Sequence, residues 1–212
     1  MNELINKMEE LLVIPVIKID NAEDASPLAA ALKKGGLCAA EVTFRTDAAE
    51  QAIKNIAKDY PDFLIIAGTV LTPEQADKAM AAGASAIVSP GLNPQVVKYC
   101  LQKGYPIIPG VCTPSEVETG LSLGLEYLKF FPAEASGGVK MISAMSAPYT
   151  KVKFMPTGGI NAKNIADYLN CKAVFACGGS WMVPSDKIKN GEFDTIQKLT
   201  EESVKIVKEI KQ

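Results

Sequence analysis

Residues 63–81 read FLIIAGTVLTPEQADKAMA, an apolar run followed by a polar turn and an amphipathic stretch. The run Phe63–Ala67 has the length and apolar character of a buried parallel strand. Thr72 before Pro73 is typical of a helix start, because the hydroxyl caps the first turn and proline fits its backbone angle. The same order of strand, loop and helix recurs along the whole chain, so this unit decides the fold.

Eight apolar runs have the length of a strand. They are Val13–Ile19, Leu37–Thr43, Phe63–Ala67, Ala86–Ser89, Pro106–Pro109, Glu126–Phe130, Val152–Met155 and Ala173–Ala176. The helical stretches between them include Ala22–Lys34, Asp47–Lys58, Pro73–Ala81, Pro94–Lys103, Pro114–Leu121 and Ala162–Leu169. Strands that alternate with helices predict a parallel sheet, and eight such units predict a compact (β/α)8 TIM barrel.

Two further helices flank these units, a charged amphipathic one over Met1–Glu10 and a last one over Thr195–Ile210. The first has the charge pattern of a helix rather than of a signal peptide. No linker or composition break divides the chain. We therefore expect one TIM-barrel domain over residues 1–212, with an N-terminal helix.

The composition excludes several classes of partner. The net charge of the 212 residues is −2, so no basic field attracts nucleic acid or an acidic membrane surface. No apolar run reaches the length of a membrane span. The five cysteines form no C-x-x-C pair, which is typical of reduced thiols and predicts a cytoplasmic location.

Two residue types are scarce. The chain contains no histidine, which excludes imidazole acid–base chemistry and histidine-ligated metal sites. Arg45 is the single arginine among the 22 lysine and arginine residues. A bidentate clamp on a carboxylate or phosphate therefore has to come from Arg45.

Lys129 lies inside the apolar run Leu128–Ala133. Burial disfavours the ammonium relative to the free amine, and a free amine attacks carbonyl carbon to form a Schiff base. The alternative is a lysine whose stem lies along the sheet and whose ammonium reaches water.

Strand parity pairs Lys129 with Glu41. Outer faces of barrel strands pack on helices and are apolar, so both side chains should point inward from strands on opposite sides of the barrel. A carboxylate beside an amine is an acid–base pair next to a nucleophile. A purely structural buried ion pair is the alternative.

Glycines follow the last two predicted strands. Gly158-Gly159 and Gly178-Gly179-Ser180 stand where many barrels bind phosphate through backbone N–H groups. Turns also need glycine, so the pattern alone leaves both interpretations open.

Three other residues are left without a catalytic role. Cys112 is expected to pack, since no histidine exists to activate it, and Trp181 to be a lid or interface residue. Lys18 ends the first strand; it either points inward, where its charge favours a neutral Lys129, or lies at the surface or against a substrate carboxylate.

Eight segments together carry a resemblance to a known family: Glu41–Thr46, Gly68–Val70, Ser89–Gly91, Pro109-Gly110, Lys129–Glu134, Gly137–Lys140, Pro156–Ile160 and Gly178–Trp181. They resemble the 2-keto-3-deoxy-6-phosphogluconate (KDPG) aldolases, a bacterial family that includes 4-hydroxy-2-oxoglutarate (KHG) aldolase activity. The resemblance runs nearly end to end and implies a class I, Schiff-base aldolase that needs no metal or cofactor. It also implies a (β/α)8 barrel and a homotrimer.

The resemblance also assigns roles. Lys129 matches the Schiff-base lysine and Glu41 the general acid/base. Arg45, Thr69 and Pro90 match the pocket for the pyruvyl carboxylate, and Phe131 the residue that packs on the pyruvyl carbons. The phosphate-binding positions are Gly158, Gly159, Gly179 and Ser180, and Thr157 matches the threonine of gluconate-type members.

The expected reaction is cleavage of KDPG, a small keto-acid phosphate, to pyruvate and glyceraldehyde 3-phosphate. Cleavage of 4-hydroxy-2-oxoglutarate to pyruvate and glyoxylate is the alternative substrate. A sugar-phosphate epimerase is a rival class, but it gives a buried lysine no role. A non-catalytic binding barrel is another, and it predicts no carbonyl adduct at Lys129.

Overall fold

The computed structural model describes residues 1–211 and has an α/β fold built on parallel strands. The strands are β1 Val13–Ile17, β2 Ala39–Thr43, β3 Leu64–Gly68, β4 Ala86–Val88, β5 Ile107–Ile108, β6 Gly110–Val111, β7 Tyr127–Phe130, β8 Lys153–Pro156 and β9 Cys177–Gly179. The helices are α1 Asn2–Leu11, α2 Ala25–Lys34, α3 Ala49–Asp59, α4 Pro73–Ala81, α5 Pro94–Lys103, α6 Pro114–Ser122, α7 Gly138–Ser146, α8 Ile165–Leu169, α9 Ser185–Lys189 and α10 Phe193–Lys211. Short 3-10 turns cover Ala22–Asp24 and Glu134–Ser136.

The strands form two parallel sheets. One has six strands in the order β5-β4-β3-β2-β1-β9, and the other has three in the order β6-β7-β8. Two isolated parallel bridges, Phe154–Val174 and Thr157–Gly178, connect β8 and the residue after it to the last strand region. The predicted alternation of strand and helix and the predicted N-terminal helix are confirmed.

Helices α4, α5 and α6 begin at the predicted prolines, Pro73, Pro94 and Pro114. In α6 the hydroxyl of Thr113 accepts a hydrogen bond from the backbone of Glu116, whose carboxylate accepts one in return. This capping box satisfies backbone donors that a helix start leaves free. The caps fix where each helix leaves the loop that follows the preceding strand.

The apolar core has two parts that the strands separate. Alternate strand residues such as Val13 and Ile17 pack with the surrounding helices. Residues on the opposite face of the strands, such as Ile14 of β1 and Ile66 of β3, form an inner cluster that also contains Met8 of α1. Helix α1 therefore covers one end of the inner cluster, and strand parity decides which side chains reach the interior.

The predicted strand Pro106–Pro109 contains β5, and a further short strand that was not predicted, β6, follows it. Pro109 lies between them and cannot donate a ladder hydrogen bond. Its carbonyl still accepts from the backbone N–H of Lys129 at 2.9 Å. The break at Pro109 is therefore the point where one sheet ends and the other begins.

The predicted last strand, Ala173–Ala176, is displaced along the chain. The structure has only a bridge at Val174, and the strand itself is Cys177–Gly179, paired with β1. Two glycines are poor strand formers, so the apolar pattern placed the strand too early. A side chain at Gly178 would overlap Thr157, which explains why glycine stands there.

Several predicted helices begin at other residues, among them α3, which starts at Ala49 rather than Asp47. The stretch Ala22–Lys34 starts as a 3-10 turn before α2, and the stretch from Ala162 becomes helical only at Ile165. The last helix starts at Phe193 rather than Thr195. Among residues 1–211 there is no helix with both the length and the apolar character needed to cross a bilayer.

Candidate active site

A buried ion pair joins the two sheets. The Lys129 Nζ of β7 donates to the Glu41 carboxylate of β2, with 3.1 Å to Oε1 and 3.4 Å to Oε2. The side chains are 6% and 1% exposed, so water screens the pair only weakly. The inward orientation expected from parity is the one observed, and the lysine stem does not carry its ammonium to the surface.

Gly68 makes room for the Glu41 side chain. It lies on β3, next to β2, and a Cβ placed on Gly68 would lie 2.6 Å from Glu41 Cγ. Real side chains do not pack at this distance, so any larger residue at 68 pushes Glu41 aside. Glycine at this strand end therefore serves the ion pair rather than a turn.

Phe131 connects the ion pair to an adjacent cavity. The Lys129 Nζ lies 5.4 Å from the centroid of the Phe131 ring, within the range of a cation–π contact. The same ring lines a cavity of about 210 Å³. A ligand attached to the Lys129 amine on the side of Phe131 would therefore lie against the wall of this cavity.

We call this space the glycine cavity. Its wall contains glycines at two neighbouring strand ends, and Gly158 and Gly159 have left-handed φ angles of 102° and 82°. Successive backbone N–H groups in such a turn form a concave anion site. The lining residues are Val16, Arg45, Phe131, Thr157, Gly158, Gly159, Ile160, Gly178, Gly179 and Ser180.

Thr157 brings a polar atom that lacks a partner. The residue is 6% exposed, and its Oγ1 has no hydrogen-bond partner among residues 1–211. An unpaired buried hydroxyl costs about 1–3 kcal/mol, so such atoms usually meet a ligand or water. A hydroxyl-bearing ligand in the glycine cavity satisfies it.

Trp181 lies directly against the glycine pair at the other strand end. A Cβ on Gly179 would overlap the indole ring, so only glycine allows this contact. The half-buried ring thus packs against the cavity wall, and its role as a lid or interface residue stays a prediction.

Arg45 is held by its own strand. Its Nε donates to Thr43 Oγ1 at 3.0 Å, and the Thr43 hydroxyl donates to the carbonyl of Ile17 at 2.8 Å. The chain of bonds leaves the rest of the guanidinium fork for an anion. The sequence pattern gave Thr43 no role, and it did not predict Val16 or Ile160 in the cavity wall.

Thr69 and Pro90 lie at neighbouring strand ends but do not line the glycine cavity. Thr69 has a left-handed φ of 56°, which is uncommon outside glycine and typical of functional loops. The Pro90 carbonyl approaches Gly110 so closely that a Cβ there would clash. The structure thus places these two outside the cavity that Arg45 lines, although the resemblance grouped them with Arg45.

Lys18 and Cys112 have local partners. Lys18 Nζ forms a half-exposed ion pair with Asp20 at 2.5 Å, so its charge is not turned toward Lys129. Burial, aided by the Glu116 carboxylate, raises the pKa of the Cys112 thiol. A thiol with a raised pKa is a poor nucleophile at neutral pH, in line with a packing role.

Known proteins resemble this chain along nearly its whole length. A family model described as KDPG and KHG aldolase matches residues 4–199. The 2-dehydro-3-deoxy-phosphogluconate aldolase of Haemophilus influenzae is 50% identical over 206 residues, which are 97% of each chain.

Two solved structures share the fold. A KDPG aldolase from Legionella pneumophila, with pyruvate captured at low pH as a covalent carbinolamine intermediate, has a TM-score of 0.90 and 44% identity over 93% of this chain and 96% of that one. The KDPG aldolase of Zymomonas mobilis ZM4 with 3-phosphoglycerate has a TM-score of 0.89 and 38% identity over 96% of each.

The role of Gly68 is testable by its replacement. Gly68→Ala should destabilise the protein by about 1–3 kcal/mol, because the new methyl group displaces Glu41 from Lys129 in a packed interior. Urea unfolding measures the change. Gly91→Ala is the control, since nothing lies within 4 Å of a Cβ there. Equal stability of the two variants would show that Gly68 does not set the position of Glu41.

Proposed function

The chain belongs to the KDPG and KHG aldolase family, and we propose that it cleaves 2-keto-3-deoxy-6-phosphogluconate to pyruvate and glyceraldehyde 3-phosphate through a Schiff base on Lys129. The observation that carries the proposal is the Lys129 amine, 3.1 Å from a carboxylate and next to a cavity that suits an anion. A family relative holds pyruvate as a covalent carbinolamine, the adduct this chemistry requires.

Imine formation begins at Lys129. The Glu41 carboxylate takes a proton from the Lys129 ammonium, the free amine attacks the C2 ketone, and Glu41 returns that proton to the C2 oxygen as the carbinolamine forms. Glu41 then takes a second proton from the nitrogen and passes it to the C2 hydroxyl, which leaves as water and gives a protonated imine. Glu41 serves both steps because it already lies within hydrogen-bond distance of the amine.

Carbon–carbon cleavage uses the imine as the electron acceptor. Glu41 removes the proton of the C4 hydroxyl, the C3–C4 bond breaks, and its electrons move into an enamine as glyceraldehyde 3-phosphate leaves. The enamine then takes a proton at C3, with Glu41 as donor. Water hydrolyses the resulting imine, which frees pyruvate and the Lys129 amine.

The cavity geometry supports the placement of the substrate. The pyruvyl carboxylate binds the Arg45 fork, which fixes the plane of the imine. Thr69 and Pro90 lie outside the glycine cavity, so only the family resemblance assigns them to the carboxylate pocket. Phe131 packs on the pyruvyl carbons, and the unpartnered Thr157 hydroxyl takes a substrate hydroxyl. The phosphate binds at three glycines and one serine of the cavity wall: Gly158, Gly159, Gly179 and Ser180.

The architecture is proposed to be one closed (β/α)8 barrel that forms a single domain. Pro109 separates β5 from β6 by one residue, so the two sheets are adjacent along that edge. The bridge between Thr157 and Gly178 supports closure at the other edge.

A homotrimer in the cytoplasm is likewise proposed. The trimer rests on the family resemblance, and a symmetric ring is a common form of homo-oligomer. The location is supported by the cysteines, Cys38, Cys100, Cys112, Cys171 and Cys177, all of which are free thiols.

Turnover of both family substrates tests the proposed activity. The wild type should release pyruvate faster from KDPG than from 4-hydroxy-2-oxoglutarate, because only the former carries a phosphate for the glycine cavity. Lys129→Met should abolish both reactions, while Lys153→Met, at another strand lysine, should retain them. A faster reaction with 4-hydroxy-2-oxoglutarate would instead favour KHG aldolase as the main activity.

The role of Glu41 predicts a specific kinetic defect. Glu41→Gln should lower kcat by about 10²–10⁴, because the amide cannot transfer protons, while imine formation partly persists. A lactate dehydrogenase-coupled assay measures kcat. Glu50→Gln is the control, since Glu50 pairs with Lys54 at the surface. Wild-type rates in Glu41→Gln would remove this residue from the mechanism.

A further inference from the structure

Three consecutive backbone carbonyls of the turn at the glycine cavity accept hydrogen bonds from residues that do not line the cavity. The carbonyl of Thr157 accepts from Ala133 N at 2.8 Å, and that of Gly158 from Glu134 N at 3.1 Å. The carbonyl of Gly159 accepts from the side-chain amides of Asn161 and Asn164, both at 3.1 Å.

These bonds decide where the N–H groups point. In a planar trans peptide the N–H is directed opposite to the carbonyl of the same unit. The N–H groups of Gly158, Gly159 and Ile160 therefore face away from the residues that hold the carbonyls. All three residues line the glycine cavity, so the outer bonds aim three successive donors at its interior.

The Glu134 side chain supports the same turn. A Cβ on Gly159 would lie 2.6 Å from Glu134 Cγ, so the glutamate stem packs directly against the turn. Its carboxylate accepts a hydrogen bond from the hydroxyl of Tyr168, which is 1% exposed in α8. Burial, followed by the bond to Glu134, raises the pKa of Tyr168, so the phenol remains a donor at neutral pH.

We propose that Glu134, Tyr168, Asn161 and Asn164 are positioning residues that hold the Gly158–Ile160 turn in its phosphate-binding conformation. None of the four lines the glycine cavity, so they act on phosphate only through the turn. The inference rests on the proposed function and adds to it. Binding of the phosphate end of the substrate depends on these four residues, which we call the outer layer, whereas imine chemistry at Lys129 does not.

Tyr168→Phe is the direct test, measured in the synthetic direction with pyruvate. The KM for glyceraldehyde 3-phosphate should rise about tenfold, because Glu134 loses its partner and the turn loosens. The KM for unphosphorylated glyceraldehyde and kcat should stay within about twofold of the wild type. Tyr149→Phe is the matched control, because that hydroxyl also donates to a glutamate, Glu118, at 2.9 Å and away from the cavity.

Asn164→Ala is a second variant in case the buried tyrosine is needed for folding. It removes one amide from the Gly159 carbonyl and should give the same selective rise in KM for the phosphorylated aldehyde. Circular dichroism melting confirms that each variant is folded. An unchanged KM, or an equal rise for both aldehydes, in folded Asn164→Ala overturns the positioning role.

Deuterium exchange into the methyl group of pyruvate separates this inference from the proposed function. Exchange needs only the imine and enamine, so the wild type and both variants should exchange at similar rates. A wild type without exchange would refute the proposed aldolase function itself. Normal exchange in the variants, together with no selective change in KM, would refute only the role of the outer layer.

Discussion

The contact between the Lys129 ammonium and the Glu41 carboxylate is the constraint on which the rest of the site depends. Removing two charges from water costs several kcal/mol each, and a buried pair seldom returns more than it costs. An apolar pair of similar volume would serve the inner cluster equally well. The cost is explained if the amine and the carboxylate react together with a substrate, as the aldolase mechanism requires.

The pair also explains features around it. Glu41 belongs to the six-stranded sheet and Lys129 to the three-stranded one, so their distance of 3.1 Å depends on how the sheets face each other. Gly68 leaves space for the carboxylate, and the Phe131 ring both contacts the amine and lines the glycine cavity. The cavity in turn carries the only arginine of the chain and a turn of backbone donors.

The alternation of apolar runs with helical stretches was enough to predict the α/β fold, and strand parity was enough to predict the juxtaposition of Glu41 and Lys129. Parity repeats with a period of two and leaves a clear pattern. The last strand was misplaced because its two glycines carry no apolar signal, although contacts with Thr157 and Trp181 require them. The roles of individual binding residues came from the family resemblance, since spacing alone left both a turn and a phosphate site open.

Other long-range contacts, unlike that of Glu41 with Lys129, could not be predicted from the sequence pattern. Arg45 shares the glycine cavity with residues more than a hundred positions away, and Thr69 and Pro90, which were grouped with it, do not line that cavity. Glu134 was quoted as part of a motif, but its contact with Tyr168 depends on how α8 packs. Such contacts follow from tertiary packing, which no local pattern encodes.

Borohydride reduction in the presence of pyruvate, followed by intact mass and peptide mapping, tests the central claim most directly. The account predicts one reduced pyruvyl adduct per chain, located on Lys129 and retained when Lys153 is replaced by Met. Loss of the adduct in Lys129→Met would confirm that pyruvate is attached to this lysine. A folded wild type that forms no adduct, or forms it on another lysine, would contradict the Schiff-base mechanism.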